Sequence, residues 1–167
     1  MTMPATPEQL FARLDALGIA HETIAHPPVY TAEDGVEWKQ KVPGLHCKNL
    51  FMHNRDGQIW LIVMPAFERA SLNHIFKQLG AGRMSFCPGE MMLPILGVPP
   101  GSATPMALMN DSAKEMKVAV DRTVAEAPVI SVHPLHNAAS TVISGADLLL
   151  FLEQHDFTPV LCNTFIR

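Results

Sequence analysis

Cysteine is scarce in this chain of 167 residues: Cys47, Cys87 and Cys162 are the whole complement. An odd number at wide spacing, with no CxxC, excludes a disulfide framework and argues against a structural zinc site. Charge is sparse as well. Asp, Glu, Lys and Arg make up 17% of the residues against 48% hydrophobic ones, the balance of an ordered globular protein and not of a disordered one. Long apolar runs are missing. "IWLIVMPAF" falls far short of the roughly 20 residues that cross a bilayer, and it carries a proline. The start, "MTMPATPEQLFARL", has no basic stretch leading into an apolar core, so no signal peptide is expected and a cytoplasmic location is. The length suits a single domain over residues 1–167.

Several signatures of chemistry are absent too. Without GxGxxG or GxxxxGK[ST] the usual dinucleotide and P-loop readings fall away. Without GxSxG a nucleophile-elbow hydrolase is not expected. HExxH is missing, and the nearest histidine pair, His133 and His136, is interrupted by Pro134, which spoils a helical metal face. No metal and no cofactor are expected. The net charge of −4 gives no overall sign of nucleic-acid binding. Its distribution is uneven: residues 39–83 hold Lys39, Lys41, Lys48, Arg55, Arg69, Lys77 and Arg83 against Asp56 and Glu68 alone. That segment carries +5 and the rest of the chain −9. Such a third could form a phosphate-binding face or an ordinary solvated surface.

What is present reads as a mixed chain. Thr6, Pro7 and Gln9 form a capping box with proline at the first helical position, Leu10, Phe11, Leu14 and Leu17 follow at helical spacing, and Gly18 ends the run. "IAHETIAH" reads as a strand, and residues 32–43 as a short helix and a loop. "KNLFMHNRDGQIWLIVM" is a β-hairpin about Asn54-Arg55-Asp56-Gly57, with Lys48 and Asn49 at the start of its first strand. Ser71 caps a helix ended by Gly80, and residues 88–96 read as a shorter helix interrupted near Pro94. "GVPPGSATP" is too rich in proline and glycine for regular structure. "MALMN", "KVAVD", "PVISVHP" and "FTPVLCNTFI" read as strands, and Ser144 caps a helix. The expected fold is a mixed α/β (α+β) domain, with helices around one sheet.

Two stretches draw chemical attention. In "HCKN", His46 and Cys47 could be a nucleophile with its base or half a metal site; equally, the strand could carry Lys48 to the mouth of a pocket. In "GVPPGSATP", Gly97 and Gly101 permit close backbone approach and the prolines fix the path, so backbone N–H groups could face an oxyanion.

"KNLF" after a glycine-containing loop, Gly97 to Pro105 as GxxPGxxTP, and "HPLHNAAST" together resemble the bacterial YbaK/ProX-type editing domains, and among them the stand-alone prolyl-tRNA-editing branch. The resemblance runs from the first helix through "HPPVYT" to the last strand. It implies a mixed, curved sheet surrounded by helices and a free-standing hydrolase that deacylates Ala-tRNA(Pro). The related branches imply cysteinyl-, seryl- or threonyl-tRNA as alternatives, and a non-catalytic nucleic-acid-binding module is the rival of another class. The reading fits a physical need, since a pocket built for proline cannot strongly reject the smaller alanine and a second hydrolytic sieve is useful. It implies water attack on an already reactive ester. Lys48 would hold the 3′ end, Asn49 would fix the substrate, the Gly101-Ser102-Ala103 backbone would line the reacting carbonyl, and His133 would orient substrate or water, or act as base. Pro28, Val29, Tyr30, Thr104 and Pro105 are the expected substrate-binding residues, with "PPVYT" and "MALMN" as apolar walls. Lys39, Lys41 and Lys48 are the expected tRNA contacts, and prolyl-tRNA synthetase or an elongation factor is a candidate partner. Strand alternation then puts Lys48 inward and Cys47 on the opposite face as a packing residue.

Overall fold

The structure, a computed structural model, describes residues 3–28 and 41–166. Helix α1 (Pro7–Ala16) carries the expected capping box: Thr6 Oγ1 accepts from Gln9 N–H while the Gln9 side chain accepts from Thr6 N–H. It buries Leu10 and Leu14 completely. Strand β1 (Glu22–Ala25) follows. Residues 32–40 of the expected short helix lie outside the described residues.

The hairpin forms as its pattern implies, from β2 (Leu45–Asn54) and β3 (Ile59–Pro65). The turn is held by Asn54, whose Oδ1 accepts from the N–H groups of Asp56 and Gln58, and by Gly57 at φ +80°. Both strands alternate between two cores. Phe51, Leu61 and Val63 face the larger one, with Leu10 and Leu14 of α1. Leu50, Met52, Trp60, Ile62 and Met64 face a smaller one, sealed by Ile75 and Phe76 of helix α2 (Leu72–Leu79). Ser71 stands at the head of α2 but makes no side-chain cap, while Gly80 ends it in the left-handed conformation as expected.

Beyond α2 the chain departs from its apolar pattern in places. A short strand β4 (Met84–Phe86) appears where none is expected. Residues 89–96 form a 3₁₀ turn followed by a π-helical turn over Met92–Leu96 that absorbs Pro94. "MALMN" is not a strand. Pro105–Met109 is a 3₁₀ helix whose N-cap, Thr104, accepts from Met106 N–H, and its side chains are core. Strand β5 (Lys117–Asp121), helix α3 (Arg122–Glu126), β6 (Ile130–Val132), β7 (Ala139–Ile143), helix α4 (Gly145–Gln154) and β8 (Val160–Cys162) complete the chain. Ser144 caps α4 through Asp147 N–H.

The sheet runs β1-β7-β6-β2-β3-β5-β8, with parallel pairings at β2–β6, β3–β5 and β5–β8 and antiparallel ones elsewhere. The expected mixed α/β architecture with a mixed sheet is what is found. One feature matters for the site. Strand β3 lines β2 along one edge from Cys47 to His53. The other edge is shared: β6 meets it only at Leu45 and His46, and β4 only from Met52 to Asn54. Between those two contacts the edge of β2 is open among the described residues.

Candidate active site in a gap of the sheet

A cavity of about 370 Å³ fills that gap. Its floor is the open stretch of β2, with Cys47, Lys48, Asn49 and Phe51. On one side stand Ser131, Val132 and His133 from the end of β6, with Ser140 of β7 and His26 behind. On the other stand Phe86 and Cys87. Gly101 and Ala103 arch over it with Pro100 and Met92. Hydrogen bonds alternate along β2: Leu45 N–H donates to Val129 O and Phe51 O accepts from Cys87 N–H, both on the gap side. By that parity the N–H and C=O of Asn49 also point into the gap, with neither β6 nor β4 opposite them.

The arch has a defined build. Ser102 N–H donates to Pro99 O at 3.1 Å, Pro100 sits at the second position and Gly101 at the third with φ +87°, which is a type II turn. Ser102 N–H is therefore spent inside the turn, and its side chain is 2% exposed and not part of the cavity lining. Gly101 and Ala103 are the turn residues that reach the cavity. The side chain of Asn49 ties the arch to the floor, since its Nδ2 donates to Ala103 O at 3.0 Å. That bond leaves Asn49 Oδ1 buried without a hydrogen-bond partner.

Strand alternation alone misplaces Cys47. It shares a face with Asn49 and Phe51, lines the cavity, and packs against the larger core. Lys48 lies on the face of Leu50 and Met52 and still reaches the cavity, because the cavity opens at the edge of the strand and not on one face of it. Burial, and secondarily Asp121, pushes the Cys47 thiol up to about 12, so it is no thiolate near neutrality. His133 is held below the ordinary imidazole value, chiefly by burial; the bond to Ala139 O opposes this, and His26 and His136 add to it.

The remaining expectations divide. Thr104 is fully buried and donates to His133 O at 2.6 Å, so it supports the histidine and does not face the cavity. Pro105 is buried in the 3₁₀ helix, and with "MALMN" it belongs to the core and not to a pocket wall. The apolar wall is made instead by Phe51, Met92, Ala103 and Val132. Pro28 and Lys41 are exposed and outside the lining. Val29, Tyr30 and Lys39 lie outside the described residues. His26, Ser140, Phe67 and Phe86 line the cavity without having been expected there. The only sequence hint was that His26 opens "HPPVYT" and Ser140 stands inside "HNAAST", two stretches already singled out. No cluster of three or more His, Cys, Asp or Glu residues able to hold a metal occurs among the described residues.

Comparison with known proteins places the chain. The model of the aminoacyl-tRNA editing domain matches residues 26–151. The chain belongs to this family. Among curated relatives of this editing domain, the bovine (Bos taurus) prolyl-tRNA synthetase associated domain-containing protein 1 is 34% identical over 156 residues, covering 90% of this chain and 91% of the relative. The prolyl-tRNA editing protein ProX of Acetoanaerobium sticklandii is 29% identical, over 84% of this chain and 87% of its own. The solved structure of a proposed trans-editing enzyme for prolyl-tRNA synthetase superposes with a TM-score of 0.74 at 13% identity, covering 99% of this chain and 100% of that one, a likeness of fold. The match of the editing domain takes in the whole floor of the cavity, its arch and the β6–β7 wall.

Proposed function

We propose that this editing domain is an aminoacyl-tRNA deacylase acting on alanine mischarged onto proline tRNA, releasing alanine and free tRNA(Pro). One observation carries the reading: Lys48, Asn49, Gly101, Ala103 and His133 surround a single cavity that offers no activated nucleophile. An aminoacyl ester is reactive enough to be cleaved by a positioned water, and burial keeps the Cys47 thiol from serving as the nucleophile. Water attacks the carbonyl carbon, the carbonyl becomes an oxyanion, and the bond to the ribose oxygen then breaks, with the water's proton passing to that oxygen. Lys48 is the group suited to the developing negative charge, with the N–H groups of Gly101 and Ala103 as the donors the arch has left, since that of Ser102 is spent in the turn. Neutral His133, with Nδ1–H on Ala139 O at 3.2 Å, keeps its Nε2 lone pair for the attacking water or a ribose hydroxyl. Phe67 and Phe86, 44% and 56% exposed at the cavity mouth, are flat faces of the kind on which a terminal adenine stacks. Phe51, Met92, Ala103 and Val132 are the apolar residues available to face the alanine methyl group.

The test is hydrolysis of Ala-, Cys-, Ser- and Pro-tRNA(Pro) by the full chain. Ala-tRNA(Pro) is expected to be cleaved and Pro-tRNA(Pro) spared. Much faster cleavage of Cys-tRNA(Pro) would replace the amino acid and keep the reaction; cleavage of none would remove both.

A further inference from the structure

The floor and the wall of the cavity form a fork. Strands β2 and β6 run parallel and are paired at its base, Leu45 with Ile130 and His46 with Ser131. Beyond those pairs the strands part. Cys47, Lys48 and Asn49 continue along one prong and Val132 and His133 along the other, with no registered pair between the prongs among the described residues. The floor prong stays firm, because β3 lines its other edge from Cys47 to His53. The wall prong is less well held. Its register with β7 ends at Val132, opposite Thr141. His133 lies one residue past that point, and Pro134 after it has no N–H to offer a neighbour. The His133 ring is steadied by Ala139 O through Nδ1 at 3.2 Å, but its backbone needs an anchor of its own.

The arch supplies that anchor. At its foot Asn110 Nδ2 donates to Leu96 O at 2.8 Å. At its head Asn49 Nδ2 donates to Ala103 O at 3.0 Å, which ties it to the floor. One residue on, Thr104 Oγ1 donates to His133 O at 2.6 Å, which ties it to the wall. That last bond is well built. Thr104 is fully buried and its backbone is extended, at φ −159° and ψ 144°. A β-branched side chain has few rotamers, so the hydroxyl is aimed. Its oxygen also accepts from Met106 N–H at 3.3 Å, which polarises the O–H towards His133. Neighbouring residues 103 and 104 therefore clasp both prongs. We propose that Thr104 is a positioning residue for deacylation: its hydroxyl closes the fork and holds the water at His133 Nε2 in register with the ester carbonyl at Lys48 and the arch. This role rests on the deacylase reading and adds a residue that never touches the substrate. Attack by a held water demands a fixed distance and direction, and two prongs free to part would lose both.

The experiment compares Thr104→Val, which removes the hydroxyl and keeps the shape, with Thr104→Ser, which keeps the hydroxyl. Thr164→Val is the matched control: Thr164 is also fully buried, its Oγ1 donates to Asp121 Oδ2 at 2.6 Å, and it stands outside the cavity lining. Each chain is assayed on Ala-tRNA(Pro) in single turnover, well below its melting temperature, so that binding and the chemical step are read apart. Thr104→Val is expected to slow the chemical step by about 100-fold, the scale of a misplacement near 1 Å, with half-saturation moved by less than about 3-fold. Thr104→Ser should restore most of the rate, and Thr164→Val should lose stability and keep its rate. Thr104→Ala carries the same expectation as the valine variant and replaces it if that variant folds poorly. An unchanged chemical step without the hydroxyl would overturn the role. So would weakened binding at an unchanged chemical step, or a serine variant as slow as the valine one. Equal losses in Thr104→Val and Thr164→Val would overturn it too, since they mean a general loosening. No hydrolysis by the wild-type chain would end the deacylase reading, and this role with it.

Discussion

Cys47 and Lys48 are chain neighbours that both reach the cavity, yet their chemistry separates them. With its thiol pushed up to about 12, Cys47 has almost no thiolate at pH 7.5. Cys87 and Cys162 are raised to about 11, both by burial first. All three should therefore react sluggishly with iodoacetamide at pH 7.5. Cys47→Ala should retain deacylation within about 3-fold, whereas Lys48→Ala should lose about 100-fold or more, with an unchanged circular dichroism spectrum, if it steadies the oxyanion. A trapped acyl-cysteine would end the water-attack mechanism. Lys48, Asn49, Gly101 and His133 were legible because each stands in a short stretch of unusual composition. His26 and Ser140 were not: 114 positions separate them, and only the pairing of β1 with β7 brings them to 2.9 Å.

At the level of the element, the turn at Pro99–Ser102 combines conformational demand with function. Gly101→Ala would place a side chain at φ +87°, a strain of about 1–2 kcal/mol, and lower the melting temperature by roughly 2–8 °C. Gly57→Ala at the hairpin tip meets the same strain, at φ +80°, with no atom within 4 Å of the new Cβ. The two variants should lose similar stability, but only Gly101→Ala should lose most of its activity; equal activities would remove the arch from the site. The elements whose signals were local are those that read correctly from sequence: the capping box of α1, the hairpin turn and the Ser144 cap. "MALMN" failed because a short apolar run has no period of its own, and burial of Pro105, Met106, Ala107 and Leu108 in a 3₁₀ helix satisfies it as well as a strand would. Strands β4 and β7 were invisible because three residues in one and small polar residues in the other leave little pattern.

For the molecule as a whole, two histidines contribute to behaviour in acid. His133 is lowered by burial, and so is His155, against the raising influence of its bond to Phe151 O. Native pKa values below the unfolded one mean that the unfolded chain binds more protons below pH 6.5. Stability is then full above that value and falls as pH drops through it. Melting temperatures should be level from pH 8 to 7 and decline towards pH 5; His155→Gln should flatten part of the decline, and a level profile would contradict the assignment. Charge acts at the same scale. Lys41, Arg55, Arg69, Lys77 and Arg83 are all exposed, so tRNA affinity should drop steeply between low and physiological salt although the chain carries −4 overall.

The gap between β6 and β4 has a consequence for amide exchange. A strand held by neighbours on both edges protects its N–H groups until it opens, and protection maps such cooperative units. Within β2, Phe51 O and Leu45 N–H are engaged on the gap side, while Asn49 N–H between them has no strand opposite. Asn49 should therefore exchange deuterium quickly in the middle of a slow stretch, while Leu50, paired with Ile62 on the other edge, exchanges slowly. A substrate analogue seated in the gap should slow Asn49 selectively, so that one amide reports occupancy without any label.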